Sequence, residues 1–166
     1  MAKNPNINKY NRGLLSVRRL KPDEDPVCLP NAKTDYLKMS KKRRARLDSQ
    51  KRRFGFTDTE TWDLDYTACV WLYSHIKMLL DIGGKVVNFE WEGAWTDDFR
   101  KELQDVGVDT EKYHNDKLVF EYICSLLEEA DELEVKTFDN ESALKIRQLN
   151  KKAFMIFAVM LPTAWW

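Results

Sequence analysis

Apolar side chains recur at three- and four-residue steps over most of the chain beyond residue 58, and no other feature constrains the fold as strongly. Glycines interrupt the pattern at Gly83-Gly84 and at Gly107, where helices commonly end. Thr96 and Asp139 each stand at the start of a stretch, as helix-capping residues do. The pattern predicts an all-α fold, a small helical bundle, with helices over residues 58–82, 96–106, 115–135 and 139–160.

Residues 85–95 depart from this periodicity. Their sequence, KVVNFEWEGAW, alternates weakly and fits either a short strand or an extended loop. A single isolated strand has no partner with which to form a sheet. The prediction for the whole chain therefore remains all-α. The final helix becomes apolar nearly all round toward its end, which favours burial on more than one face, either in the bundle centre or against another subunit.

Charge is distributed unevenly along the chain, although the net charge is zero. Residues 1–53 hold 16 Lys and Arg against 5 Asp and Glu, whereas residues 54–166 hold 11 against 22. The two parts carry net charges of +11 and −11. This asymmetry predicts a basic N-terminal arm over 1–53 and an acidic helical bundle domain over 54–166, and it points to an anionic partner for the arm.

The arm itself has two parts. Residues 1–32 contain several X-Pro steps, which disfavour helix at the residue before each proline, so this part is predicted to be irregular. Residues 34–53 are compatible with one helix capped by Thr34 or Asp35, with few apolar contacts of its own.

The densest positive charge lies in the runs KKRRAR (41–46) and KRR (51–53). Arginine grips phosphate through paired hydrogen bonds, and aromatic faces near arginine suit base stacking. The predicted ligand-binding residues are Arg43, Arg44, Arg46, Arg52, Arg53, Phe56 and Trp62. The competing interpretation is a basic helix that is neutralised by the acidic domain or by a second subunit.

Motifs of the common enzyme classes are missing from the sequence: it has no G-x-G-x-x-G, Walker A loop, G-x-S-x-G or H-E-x-x-H. The run Glu128-Glu129-Ala130-Asp131-Glu132 resembles half of the metal-binding pattern of MazG-like nucleotide pyrophosphohydrolases. That family needs a second acidic pair on a following helix, and the chain has no Asp or Glu after Glu141. Glu60-x-x-Asp63 is the remaining substitute, at a helix start where acids are expected in any case. The sequence favours no catalytic residue, no metal and no cofactor.

The N-terminus lacks the apolar stretch of a signal peptide, and the longest apolar run, residues 153–161, is too short to cross a bilayer. The three cysteines show no C-x-x-C spacing or disulfide framework. We therefore expect a cytoplasmic protein without membrane contact, and the apolar final helix predicts a homo-oligomer.

Two segments, which include GFTDTETWDLDYTACVWLYSHIKML and KKAFMIFAVMLPTAWW and cover roughly residues 54–82 and 151–166, resemble an uncharacterised family of small helical bacteriophage proteins. In that family an aromatic-Gly-Phe, an acidic turn and a Trp-x-Leu-Asp open a helix, and a Lys-Lys-Ala aromatic helix ends near a Trp. The resemblance implies a phage or prophage origin, hence the cytosol of a host cell, and carries no activity with it.

These observations together predict a non-enzymatic phage accessory protein that binds a phosphate-rich anion, as in anti-defence sequestration of a nucleotide immune signal. Three alternatives stay open. One is nucleic-acid binding through the basic arm, a second is inhibition of a host protein through the acidic domain, and a third is a metal-dependent nucleotide hydrolase.

Overall fold

The computed structural model describes residues 27–54, 56–83, 95–136 and 139–161. Within these residues the chain is all-α, with seven helices and no strand. The helices are α1 (Pro30–Lys38), α2 (Lys41–Phe54), α3 (Asp58–Trp62), α4 (Leu64–Gly83), α5 (Asp97–Asp105), α6 (Asp116–Lys136) and α7 (Asn140–Met160). The all-α prediction is therefore confirmed. Residues 1–26 of the predicted irregular segment 1–32 lie outside the described residues, as do residues 85–94 of the strand-or-loop segment. The irregular prediction was wrong for residues 30–32, which belong to α1, because proline is tolerated in the first turn of a helix.

The chain divides into two compact units, Met1–Met78 and Leu79–Trp166, and the boundary falls within α4. The first unit contains α1, α2, α3 and most of α4. The second contains α5, α6 and α7.

The first two helices begin at residues that favour a helix N-terminus, a proline and a serine. Pro30 is the first residue of α1, a position where its missing N–H has no helical partner to lose. Ser40 caps α2, because its Oγ accepts from the backbone N of Arg43 at 3.2 Å and its carbonyl accepts from Arg44 N at 3.0 Å. The prediction of one helix from Thr34 to Arg53 was wrong in this respect: Ser40 restarts the helix, and the structure has two.

A capping box opens α3. The Thr57 side chain accepts from Glu60 N at 3.2 Å, and Glu60 Oε2 accepts from Thr57 N at 2.6 Å. After α3 the chain leaves helical geometry at Asp63 (φ −128°, ψ 58°), whose carbonyl then accepts from Thr67 N at 2.9 Å and starts α4. The predicted single helix over 58–82 is thus broken once, at Asp63.

Only some of the apolar residues in the periodic pattern of α4 are buried. Leu72 and Ile76 are almost fully buried, whereas Leu64 and Trp71, which belong to the same sequence periodicity, are 69% and 50% exposed. Ser74 Oγ donates to the carbonyl of Val27 at 3.1 Å and holds the segment that precedes α1 against α4. Burial of one Leu or Ile side chain contributes about 1.5–3 kcal/mol, so the buried row holds α4 in place.

In the second unit, α5 is short and strongly capped. Thr96 Oγ1 accepts from Phe99 N at 3.2 Å, Leu103 is fully buried, and Gly107 ends the segment in the left-handed region at φ +81°. These features confirm the predicted short helix over 96–106, which Gly107 ends.

The longest helices, α6 and α7, pack against each other as an antiparallel hairpin, and α5 packs on α7. Lys145 pairs with Glu129 at 2.8 Å, and Lys152 Nζ lies 5.3 Å from the Tyr122 ring centroid. From the first contact to the second, the residue number rises by seven on α7 and falls by seven on α6, so the two helices run in opposite directions. Asp139, whose carboxylate accepts from Ser142 N at 2.7 Å, caps α7 as predicted.

One face of α7 supplies the buried core of this hairpin. Ala153, Ile156 and Met160 are fully buried, whereas Met155 and Leu161 are 42% and 44% exposed. Within the described residues, the side of α7 that carries Met155 and Leu161 is thus partly exposed, and the predicted homo-oligomer stays a prediction. The other core side chains of the second unit include Leu103, Val108, Val119, Phe120, Ile123 and Leu127.

Candidate functional site

Opposite sides of α2 have opposite characters. Leu47 and Asp48 are buried, and Arg44, Gln50 and Lys51 beside them are half-buried. The other side is exposed, and five cations project from it around the small side chains of Ala45 and Ser49. We call this set the basic face of α2; it consists of Lys41, Lys42, Arg46, Arg52 and Arg53. At a rise of about 1.5 Å per residue it extends for roughly 18 Å.

Acidic residues at the start of α3 neutralise part of this positive charge. Arg46 Nη2 lies 2.9 Å from Asp58 Oδ2, and Lys51 Nζ lies 2.7 Å from Glu60 Oε1. Asp58 N also donates to Gln50 Oε1 at 3.3 Å. These contacts fix α2 against α3, so the interpretation of the basic helix as neutralised by its own chain holds for Arg46 and Lys51.

The other predicted arginines do not converge on one point. Arg44 Nε donates to the Met39 carbonyl at 3.0 Å, at the C-terminal end of α1, where a cation stabilises the helix dipole. Arg43 lines a cavity, described below. Arg52 is exposed, and the Arg53 guanidinium lies 5.1 Å from the centroid of the Phe54 ring.

Two aromatic rings stand in solvent at the C-terminal end of α2. Phe54 and Phe56 are 56% and 57% exposed, and their ring centroids are 6.5 Å apart at an interplanar angle of 38°. Phe54, which was not among the predicted site residues, therefore joins Phe56 and Arg53 in one exposed cluster. Trp62 ends α3, and its side chain lies outside the described part of the structure.

The electrostatics of the two α3 carboxylates differ. Desolvation acts to raise the pKa of Asp58, but a side-chain hydrogen bond with Gln50, the Arg46 charge and hydrogen bonds with Thr59 outweigh it and hold the pKa below its ordinary value. At Asp63, partial burial and the neighbouring Asp65 carboxylate raise the pKa. The Asp58 carboxylate is thus stabilised in its charged form by side chains of α2. At Asp63 the causes of the shift all disfavour the charged form.

A cavity of about 320 Å³ opens between α1, α2, α3 and the start of α4 within the first unit. We call it the Arg43 cavity. Cations and carboxylates both line it, together with one aromatic ring; these residues are Lys38, Arg43, Asp35, Glu60, Asp63 and Tyr66. Of the predicted site residues only Arg43 contributes. Lys38 and Tyr66 escaped sequence reasoning, and Asp63 entered it only as a possible metal ligand, because their place in the cavity depends on how α1 and α4 meet α2.

The acidic run on α6 does not form a cluster of ligands. Glu129 pairs with Lys145 at 2.8 Å, Asp131 is buried, and Glu132 is exposed. Within the described residues no group of three or more His, Cys, Asp or Glu side chains is arranged to hold a metal ion. None of the described helices combines the length and apolar character needed to cross a bilayer.

No family of known proteins, no curated protein and no solved structure matches the chain. The resemblance to small helical bacteriophage proteins accordingly stays a prediction.

Proposed function

We propose that this protein binds a phosphate-rich anion through the basic face of α2, without catalysing a reaction on it. One observation carries the proposal: exposed cations along α2 end at two exposed aromatic rings, Phe54 and Phe56. Phosphates meet the cations, and bases stack on the rings, a combination that binds nucleic acid with little dependence on sequence.

The shape of the basic face favours an extended ligand over a single nucleotide. Its cations are spread over roughly 18 Å of helix, and they flank a strip formed by Ala45 and Ser49. A small ligand reaches only two or three of them at once. A single strand of DNA or RNA places one phosphate per nucleotide along its whole length, so we propose a single-stranded nucleic acid as the ligand.

The resemblance to phage proteins supports a setting for this activity. In a host cytosol, a phage accessory protein that holds a nucleic acid or a nucleotide signal keeps it from host defence. We propose this anti-defence role together with the binding activity. A nucleotide signal as the ligand remains the second form of the same proposal, because the Arg43 cavity offers two further cations, Lys38 and Arg43, in a confined space.

The test is fluorescence anisotropy of the full chain with a labelled single-stranded 20-mer, over a series of salt concentrations. Each phosphate contact contributes about −0.7 to the slope of log K against log salt for a single strand. Replacing Arg52 and Arg53 together by Ala removes two exposed cations of the basic face, and we expect the slope to become shallower by about 1.4.

The matched control replaces Lys151, an exposed cation of α7, by Ala, alone and together with Arg147→Ala. The double variant removes the same two charges as the Arg52 and Arg53 pair, but from another surface, so the slope should stay unchanged. Absence of binding at low salt, or the same slope change in both pairs of variants, would contradict the proposal. If the full chain binds free nucleotides but not the single strand, the result would favour a nucleotide signal as the ligand.

A further inference from the structure

The Arg43 cavity combines two cations with carboxylates, which a site for phosphate alone does not need. Lys38 ends α1, and Arg43 lies in the first turn of α2. Both come from the consecutive helices α1 and α2, and α2 also carries the basic face. They can hold a phosphate that continues from a strand bound along that face.

The carboxylates of the cavity are not equally available. Glu60 is already engaged, because Oε1 accepts from Lys51 Nζ at 2.7 Å and Oε2 accepts from Thr57 N at 2.6 Å. Partial burial, a side-chain hydrogen bond with Asp65 and the like charge of Asp65 raise the pKa of Asp63. A ligand that brings N–H donors to Asp63 relieves this repulsion, since an ionised carboxylate only accepts hydrogen bonds.

Tyr66 is the aromatic residue among those that line the cavity. It is half-buried, as is Thr67; both lie in the first turn of α4, and Asp63 immediately precedes that helix. A volume of about 320 Å³ is at the lower end of the range for small-molecule pockets, which suits one nucleotide unit. Aromatic stacking and recognition of the Watson–Crick edge are the usual means by which proteins read an unpaired base.

Among the bases, guanine alone presents two adjacent N–H donors, at N1 and N2, to the paired oxygens of one carboxylate. Adenine and cytosine place an acceptor beside their amino group, and uracil and thymine flank one N–H by two carbonyls. We propose that the Arg43 cavity binds one guanine nucleotide, with Asp63 accepting from the base edge, Tyr66 stacking on the ring, and Arg43 and Lys38 contacting the phosphate.

This inference rests on the proposed function in one respect: the guanine belongs to a strand held on the basic face of α2. The experiment therefore measures strand binding and free-nucleotide binding separately. The full chain is titrated with thymine 12-mers that contain one guanine, one inosine, which lacks the N2 amino group, or no purine. It is also titrated with GMP, IMP and AMP by calorimetry.

We expect the guanine 12-mer to bind roughly tenfold to a hundredfold more tightly than the inosine and all-thymine strands. Asp63→Asn should remove this preference while binding of the all-thymine strand stays the same, and asparagine suits the start of α4 as well as aspartate does. Asp98→Asn, the matched control at an exposed position of α5, leaves the preference in place because Asp98 does not line the cavity.

The outcomes separate the two proposals. If no strand binds but GMP binds better than IMP and Asp63→Asn abolishes the difference, the cavity inference stands and the strand proposal falls. If strands bind with equal affinity and GMP shows no preference over IMP, the cavity inference falls and the strand proposal stands. A guanine preference that survives in the Asp63→Asn variant also overturns the inference.

Discussion

The ion pair between Lys51 and Glu60 should couple α2 to α3 more strongly than the pair between Arg46 and Asp58. Both pairs join the same two helices at similar distances, 2.7 Å and 2.9 Å. They differ in exposure: the side chains of Lys51 and Glu60 are 39% and 13% exposed, and those of Arg46 and Asp58 are 61% and 40% exposed. Solvent screens a charge pair less as it becomes more buried.

The magnitude follows from this exposure. Exposed ion pairs contribute about 0.2–1 kcal/mol, whereas hydrogen bonds to charged groups contribute about 1.5–3 kcal/mol. With Glu60 largely buried and Lys51 still partly in water, we expect a coupling free energy of about 1–2 kcal/mol. The coupling between Arg46 and Asp58 should be smaller, and 0.5 M NaCl should weaken it by a larger fraction.

The assay is a double-mutant cycle by urea unfolding, followed by circular dichroism. Lys51→Met keeps the apolar stem, and Glu60→Gln keeps an oxygen that accepts from Thr57 N, so the cycle isolates the ion pair. The matching cycle uses Arg46→Met and Asp58→Asn. Equal couplings, or a larger one for Arg46 and Asp58, would refute the link between exposure and strength.

Three further predictions concern the second unit. Trp95→Phe removes the Nε1 hydrogen bond to Asp116 Oδ1 (2.6 Å) and should lower the free energy of unfolding by about 1–2 kcal/mol in urea titrations; an unchanged value would mean that water replaces the bond without loss. Gly107→Ala should cost about 1–2 kcal/mol because of its positive φ, and Gly107→Asn less, so equal losses would contradict a backbone origin. Hydrogen bonds from the Ser142 backbone and side chain lower the pKa of Asp139 in the folded state, so its contribution to stability is present above the unfolded pKa and is lost as pH falls through the folded one. Asp139→Asn keeps a capping side chain that does not titrate. The free energy of unfolding of this variant should therefore fall less than that of the wild type over the same acid range. An equal fall in the two proteins would contradict this prediction.

The sequence predicted the helices of the second unit well, because their ends are encoded by single residues. Thr96, Asp139 and Gly107 act through hydrogen bonds or backbone conformation within four residues of themselves. Such local signals do not depend on the rest of the fold. The same reasoning missed the restart at Ser40, because a serine inside a basic run reads equally well as an exposed helical residue.

The candidate site was less accessible to sequence reasoning. The arginine cluster was visible as charge, but its members have different surroundings: Arg44 bonds to a main-chain carbonyl, Arg46 to Asp58, and Arg43 lines a cavity. Nothing in the sequence marks Phe54 as more exposed than other aromatic residues. Its exposure beside Phe56 at the end of α2 appears only in the structure.

Taken by itself, the sequence determined the all-α class, the concentration of positive charge before residue 54 and the caps of α5 and α7, since periodicity, composition and short-range hydrogen bonds are local properties. Only the tertiary structure decided which cations face solvent, and which side chains line the Arg43 cavity. Those outcomes depend on the packing of α1, α3 and α4 around α2. Long-range packing is decided by the fit of whole surfaces, which no short stretch of sequence contains.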